Sequence, residues 1–189
     1  MPNLYIIGGP NGSGKTTSAL KILPQFVCKE YVNADTIAAG LSQFSPEAVA
    51  LQAGRLMLQR IRHLASEKES FAFETTLAAS SLATFSRICQ EQGYTVYLLY
   101  FWLQSADMAV ERVRQRVAKG GHSIPEEVIR RRYESSRKNF ISLFMPFVDY
   151  WHVYDNSGAS AVLAASGKGG QVKTVALPLV WKMISLPQL

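Results

Sequence analysis

The sequence predicts an α/β fold, a parallel sheet covered by helices on both faces. Three observations carry this reading. Short apolar runs alternate with longer amphipathic stretches from residue 4 to residue 154, the order a parallel sheet with crossover helices requires. Residues 95–103 are apolar almost throughout, as in a central strand buried on both sides. A glycine-rich loop follows the first apolar run and opens the first helical one.

Leu4-Tyr5-Ile6-Ile7, stopped by Gly8-Gly9, is the first strand, and residues 16–23 form a helix closed by Pro24. Tyr31-Val32-Asn33 is a short second strand leading to Asp35. Ser45, Pro46 and Glu47 read as N-cap, first helical residue and first-turn acid. They start a long amphipathic helix with Val49, Ala53, Leu56, Met57, Ile61 and Leu64 on one face. Phe71-Ala72-Phe73 is a third strand ending at Glu74-Thr75-Thr76, and a helix over about 80–92 ends at Gly93. After the fourth strand, Ser105 caps a helix to Lys119, stopped by Gly120-Gly121. Pro125 starts another, to roughly Phe144. Residues 151–154 are the fifth strand, and Gly167 to Gly170 reads as a turn between two short strands. Neither a linker nor a repeat divides the chain, so a single domain over 1–189 is expected, with a helical lid over about 105–145.

The composition, 48% hydrophobic and 18% charged, is that of a globular rather than a disordered chain. Cys28 and Cys89 make no disulfide framework. No apolar run approaches the ~18 residues of a membrane span. The start has no signal-peptide pattern, so a cytoplasmic protein is expected. Residues 112–138 hold nine basic and three acidic residues, which accounts for the whole net charge of +6. Such local basicity suits either nucleic-acid binding or a lid that clamps phosphates.

Gly9-Pro10-Asn11-Gly12-Ser13-Gly14-Lys15-Thr16 has the G-x-x-x-x-G-K-T spacing of a P-loop, and it sits between a strand and a helix as that mechanism demands. The glycines turn backbone N–H groups toward phosphate oxygens, and the helix opening at Thr16-Thr17 offers the same anion its N-terminal N–H groups. Lys15 should reach the β- and γ-phosphates of ATP, and Thr16 should hold Mg²⁺ through its hydroxyl.

Two acids follow strand ends, where ligands of open α/β sheets bind. Asp35 is the candidate base for an acceptor hydroxyl, with helix capping as the alternative. Glu74, beside Thr75, should hold the acceptor or support Mg²⁺ through water. Arg112, Arg116 and Lys119 form one helical stripe, and Arg130, Arg131 and Arg132 follow beyond the Gly-Gly hinge. Arginines on both limbs of a hinge are what a closing lid needs to meet phosphoryl charge; Arg116 and Arg131 are the first choices. His122 borders the hinge. His63, His122 and His152 lack metal-ligand spacing. Asp155-Asn156-Ser157 reads as a turn near the adenine.

The P-loop, Asn33-Ala34-Asp35, Phe73-Glu74-Thr75-Thr76, Arg112-Val113 to Gly121-His122, Pro125-Glu126, Arg131-Arg132-Tyr133 and Asp155-Asn156-Ser157 together resemble the zeta-toxin family of P-loop kinases over about residues 3–158. The resemblance implies an adenylate-kinase-like sheet of order 2-3-1-4-5, with ATP and Mg²⁺. It also implies transfer to a small phosphorylated acceptor, a UDP-N-acetylamino-sugar, and restraint by an antitoxin protein. On its terms the catalytic aspartate falls on Asp35, the substrate-holding glutamate on Glu74, and the lid arginines on Arg116 and one of Arg130 to Arg132. A monomeric small-molecule kinase is the leading expectation. A nucleoside- or polynucleotide-kinase-like enzyme and a nucleotide-dependent binding module are the alternatives. No aromatic platform interleaves the basic stripe as single-strand binding would favour.

Overall fold

The computed structural model describes residues 1–26 and 28–186; the last three residues of the expected domain lie outside them. Seven strands form one sheet: β1 (Asn3–Gly8), β2 (Glu30–Val32), β3 (Phe71–Thr75), β4 (Thr95–Trp102), β5 (Tyr150–Asp155), β6 (Val162–Lys168) and β7 (Gln171–Val175). Their order is β2-β3-β1-β4-β5-β6-β7. The first five pair in parallel, and β6 and β7 are added antiparallel. The expected order of the first five is therefore present, extended by a hairpin.

Strand side chains alternate between faces, and two cores result. Leu4, Ile6, Phe71, Phe73, Leu98, Tyr100 and Val153 face one core. Tyr5, Ile7, Ala72, Leu99 and Phe101 face the other. The first core receives α3 (Ala50–Ser66) through Met57, Ile61 and Leu64, and α4 (Ser81–Glu91) through Leu82, Ala83 and Cys89. The second receives Ala19 of α1 (Lys15–Ile22) and is extended by stacked Tyr5, Tyr97 and Tyr150 rings, 5.1 Å apart at each step. Burial of β1 and β4 on both sides explains their unbroken apolar runs.

α2 (Ala34–Leu41) follows β2 directly. Ser45 gives no side-chain cap, and the turn after it is a tight 3₁₀ segment, Pro46–Val49, so the long regular helix begins at Ala50 rather than at Pro46. α5 (Ala106–Ala118) is capped by Ser105, whose hydroxyl accepts from the Met108 N–H. α6 (Glu126–Asn139) runs antiparallel to it, and the two share a small core of Leu103, Ala109, Val110, Val113, Ile129 and Tyr133. Beyond Asn139 the helix widens into a π turn, Phe140–Phe144, which carries Phe140 and Phe144 together into the main core.

The end of the chain was the least legible part of the sequence. The turn at Gly169-Gly170 does join two strands. The final helix α7 (Pro178–Ser185) has no polar cap and starts on Pro178. It is held by Ile184 in the core and by Trp181, stacked on Trp151 with ring centres 5.4 Å apart. Gly167 pairs with Trp151 across β5 and β6. A Cβ there would run into the Trp151 indole and the Gln171 carbonyl. Gly167→Ala should therefore lower stability by about 1–3 kcal/mol, the usual scale of overpacking. Gly170→Ala, whose Cβ would meet only the Pro146 Cα at an ordinary 3.9 Å, should be close to neutral. Urea unfolding of both variants checks this.

Candidate active site

The strand order brings the C-terminal ends of β1, β2 and β3 side by side, so the loops after them meet. The P-loop leaves β1 with Gly9, Gly12 and Gly14 at φ of 144°, 74° and 77°. A side chain at Gly9 would meet the Phe101 carbonyl, and one at Gly14 would meet the Asn156 amide. Glycine is therefore required twice over, by φ and by space. Pro10 and Ser13 lie buried in the body of the loop, and the Ser13 N–H donates to the Pro10 carbonyl at 3.3 Å. Asn156, just past β5, donates to the Ser13 carbonyl at 2.7 Å, while its own N–H donates to Trp102 at 3.0 Å. The Asp155-Asn156-Ser157 turn thus braces the P-loop from the β4–β5 side. Ser157 in turn accepts from Arg112 through its carbonyl at 3.0 Å.

Lys15 is only 6% exposed. Its ammonium donates to the Pro10 carbonyl at 2.9 Å and lies 3.8 Å from Glu74 Oε1. Burial pulls its pKa down, opposed by Glu74 and then Asp35. A buried ammonium with a carbonyl and one carboxylate as neighbours has donor capacity left for an anion.

Glu74, at the end of β3 and 10% exposed, gathers the neighbouring elements. Its Oε2 accepts from the Thr16 hydroxyl at 2.7 Å, the Tyr31 hydroxyl at 2.5 Å and the Asn33 amide at 3.0 Å. Burial, then the Glu74 charge, raises the Tyr31 pKa, so the phenol stays protonated and donates. Asn33 also settles the alternative raised for Asp35. The Asn33 side chain caps α2, accepting from the Asp35 N–H at 2.8 Å. Asp35 instead sits in the first turn with its side chain 54% exposed to the cleft, 3.5 Å from His122.

The α5–α6 hairpin closes the cleft from the other side. Gly120 takes φ of 85° and ends α5. Gly121 does something else: a Cβ there would collide with the Arg116 side chain. Arg116 therefore folds across Gly121, donating to the His122 carbonyl at 3.1 Å and approaching its Nε2 at 3.2 Å. Of Arg130, Arg131 and Arg132 on α6, only Arg132 lines the cleft. Arg130 is tied to Asp107 at 2.7 Å and Glu126 at 2.8 Å, and Arg131 is exposed. The reason is rotational. α6 buries Ile129, Tyr133 and Ser136, and at roughly 100° per residue Arg131 points about 180° from that stripe while Arg132 lies at its edge. The first choice of Arg131 is thus displaced from the cleft by the turn of its own helix.

The cleft has a volume of about 720 Å³ and is lined by Asn11, Gly12, Gly14, Lys15, Thr16, Thr17, Asp35, Glu74, Thr75, Arg116, His122 and Arg132 among others. Tyr31 was not anticipated, and Asn33 only as part of the Asn33-Ala34-Asp35 motif; their signal is chemical, a phenol and an amide at the end of a short strand beside Asp35. Positive-φ glycines, a buried ammonium and a Thr16 hydroxyl beside a carboxylate fit a nucleoside triphosphate with Mg²⁺.

A model of the zeta toxin family matches residues 1–167. The chain belongs to the zeta toxin family. A Haemophilus influenzae protein described as uncharacterized is 29% identical over 125 residues, which is 66% of this chain and 88% of that one. Among solved structures, AvrRxo1-ORF1:-ORF2 with ATP superimposes with a TM-score of 0.79 at 21% identity, covering 100% of this chain. The present chain spans 65% of the length of that one. The PezAT toxin-antitoxin system of Streptococcus pneumoniae gives a TM-score of 0.65 at 15% identity, covering 97% of this chain and 78% of that one. A gluconokinase from Sinorhizobium meliloti gives 0.52 at 16% identity, covering 83% of each. The zeta-toxin member thus carries a P-loop kinase fold. No helix among its described residues is long and apolar enough to cross a membrane.

Asn156→Ala should leave the Ser13 carbonyl without its side-chain donor and lower stability by about 1 kcal/mol. The P-loop should become the first site cut in limited proteolysis, and unchanged cleavage would deny Asn156 its bracing role.

Proposed function

We propose that the chain is an ATP-dependent kinase that transfers the γ-phosphate to a hydroxyl of a small molecule. One observation carries the reading: Lys15, Thr16, Asp35, Glu74, Arg116 and Arg132 come from five separate elements and border one cleft at the carboxyl ends of the strands. A binding module needs the phosphate cradle but has no use for a carboxylate and two lid arginines opposite it.

The P-loop N–H groups and Lys15 bind and orient the triphosphate. Thr16, with Glu74 behind it, would hold Mg²⁺, which when bound neutralises phosphate charge. Asp35 accepts the proton of the acceptor hydroxyl as its oxygen bonds to the γ-phosphorus; the β–γ bridging P–O bond breaks and the electron pair leaves with ADP. Glu74 Oε2 is engaged by three donors, leaving Oε1 for Lys15 and for an acceptor hydroxyl, with Thr75 beside it. Arg116 and Arg132 meet the charge of the transferring group from opposite limbs of the lid. In the unliganded arrangement Arg116 is parked on His122, and His122 lies against Asp35. Arg116 must leave His122 to reach a phosphate, which frees the imidazole to donate to Asp35 instead. Resemblance implies a UDP-N-acetylamino-sugar as acceptor, and family membership together with the likeness to PezAT makes an antitoxin partner part of this reading.

Two predictions follow from these roles, both read as transfer of label from γ-labelled ATP into a metabolite extract. Arg116→Ala and Arg132→Ala should each lower kcat by about 100-fold, the scale of losing one donor to transition-state charge. Arg131→Ala should stay within about twofold, as an exposed substitution does. Equal losses in all three would reduce the lid to a general basic surface.

Asp35→Asn should cut transfer by about 100-fold or more with the fold intact, since the side chain is half exposed and Asn33 does the capping. Glu74→Gln should act differently, lowering stability by about 1–3 kcal/mol because three donors lose a charged acceptor. Thermal unfolding and transfer rates on both variants separate a base from a structural carboxylate; normal transfer by folded Asp35→Asn would end the base assignment.

A further inference from the structure

We infer that His122 is a positioning residue for Asp35 and that Arg116 and Asp35 compete for its Nε2, an inference that rests on the phosphotransfer reading above. His122 sits in the bend between α5 and α6, with its side chain 20% exposed. One ring nitrogen has two neighbours. Arg116 Nη2 lies 3.2 Å from Nε2, and Asp35 Oδ2 lies 3.5 Å from the same atom.

The two neighbours make opposite demands. A guanidinium only donates and an ionised carboxylate only accepts. Toward Arg116, Nε2 must offer its lone pair, with the ring proton on Nδ1. Toward Asp35, Nε2 must carry the proton. A single nitrogen cannot do both at once. In the unliganded arrangement Arg116 holds it, because the 3.5 Å to Asp35 is longer than an ordinary hydrogen bond. Arg116 also donates to the His122 carbonyl at 3.1 Å, which keeps the guanidinium beside the ring. Yet its Nε is buried without a hydrogen-bond partner, a standing cost of this arrangement. A phosphate oxygen offers the guanidinium a full charge that the imidazole lacks. Once Arg116 leaves, the ring proton passes from Nδ1 to Nε2 through water, and the new N–H donates to Asp35 Oδ2.

Asp35 needs such a holder. Asn33 fixes its backbone N–H but not its carboxylate. Among the described residues no hydrogen bond holds that carboxylate, and His122 is the one cationic partner within ion-pair distance. Arg132 of α6 feels the Asp35 charge without a hydrogen bond to it among the described residues. A base free to turn loses much of the advantage of proximity. An imidazole N–H on Oδ2 stops that rotation and leaves Oδ1 for the alcohol proton. The base is therefore aimed only after the phosphates have drawn Arg116 away, and one side chain ties the arrival of nucleotide to the geometry of the carboxylate.

The test reads the proton itself. The full chain holds three histidines, His63, His122 and His152. With isotope-labelled histidine, a long-range proton–nitrogen correlation spectrum reads which ring nitrogen is protonated, and the signals lost in His122→Gln identify His122. In the unliganded chain the proton should sit chiefly on Nδ1. Arg116→Ala, without nucleotide, should move it to Nε2, and Mg²⁺ with a non-hydrolysable ATP analogue should do the same in the unaltered chain. A proton on the same nitrogen in the unaltered chain and in Arg116→Ala would overturn the inference. Movement in Arg116→Ala but not with the analogue upholds the competition and fails the role of Arg116 at the phosphates. Positioning is read as label passed from γ-labelled ATP into a metabolite extract. His122→Ala should lower kcat about tenfold, with the KM for ATP within about twofold. His122→Gln, whose amide N–H takes the place of Nε2–H, should recover to within about threefold of the unaltered chain. In the Asp35→Asn background His122→Ala should lower transfer by less than about twofold further, since residues that act through one group are not additive. Unchanged kcat in His122→Ala, no recovery in His122→Gln, or a full further loss beside Asp35→Asn would each overturn the positioning role. Absence of transfer by the unaltered chain fails the phosphotransfer reading, and the spectra decide the competition either way.

Discussion

A carboxylate almost closed off from water must be matched by donors or the fold loses several kcal/mol. Glu74 is such a group, and the residues that match it come from everywhere the site needs to be joined. Thr16 comes from the P-loop helix, Tyr31 from β2, Asn33 from the start of α2, and Lys15 stands 3.8 Å away. Satisfying one buried charge therefore fixes the distance between the phosphate cradle and the second and third strands. Asn33 extends the constraint by one step, since the same side chain that donates to Glu74 accepts from the Asp35 N–H. The position of the candidate base thus depends on the hydrogen bonding of Glu74.

The α5–α6 hairpin is built differently. α5 and α6 share a core of their own, separate from the two that flank the sheet. Arg116 lies on His122 within the hairpin, and His122 in turn meets Asp35 across the cleft, so both contacts are polar. Polar contacts of this kind exchange readily for phosphate oxygens, which carry more charge than an imidazole or a carbonyl. Gly121 is central here because its missing Cβ is what allows the arginine to lie back over the turn.

At the site, legibility followed the range of the signal. The P-loop was plain because its mechanism is local: glycines, a lysine and a helix start within eight residues. Asp35 and Glu74 were marked because strand ends in α/β sheets collect ligands. Arg131 was preferred over Arg132 because the three arginines were read as a run rather than as a helical surface. The buried stripe of Ile129 and Tyr133, visible in the sequence, places Arg132 rather than Arg131 toward the cleft. Asn156 was read only as part of a turn near the adenine, since the loop it braces lies 143 residues away.

The sequence by itself determined the alternation of strands and helices, the double burial of β1 and β4, and the cradle, because each depends on the chain's neighbours along its length. Periodicity and turn chemistry are properties of short windows. Only the tertiary structure decided that Asn33 rather than Asp35 caps α2 and that Arg132 borders the cleft. It also decided that α7 exists, held by Trp181 against Trp151. Each of these is a contact between distant segments, made by the packing of faces whose partners no local window contains.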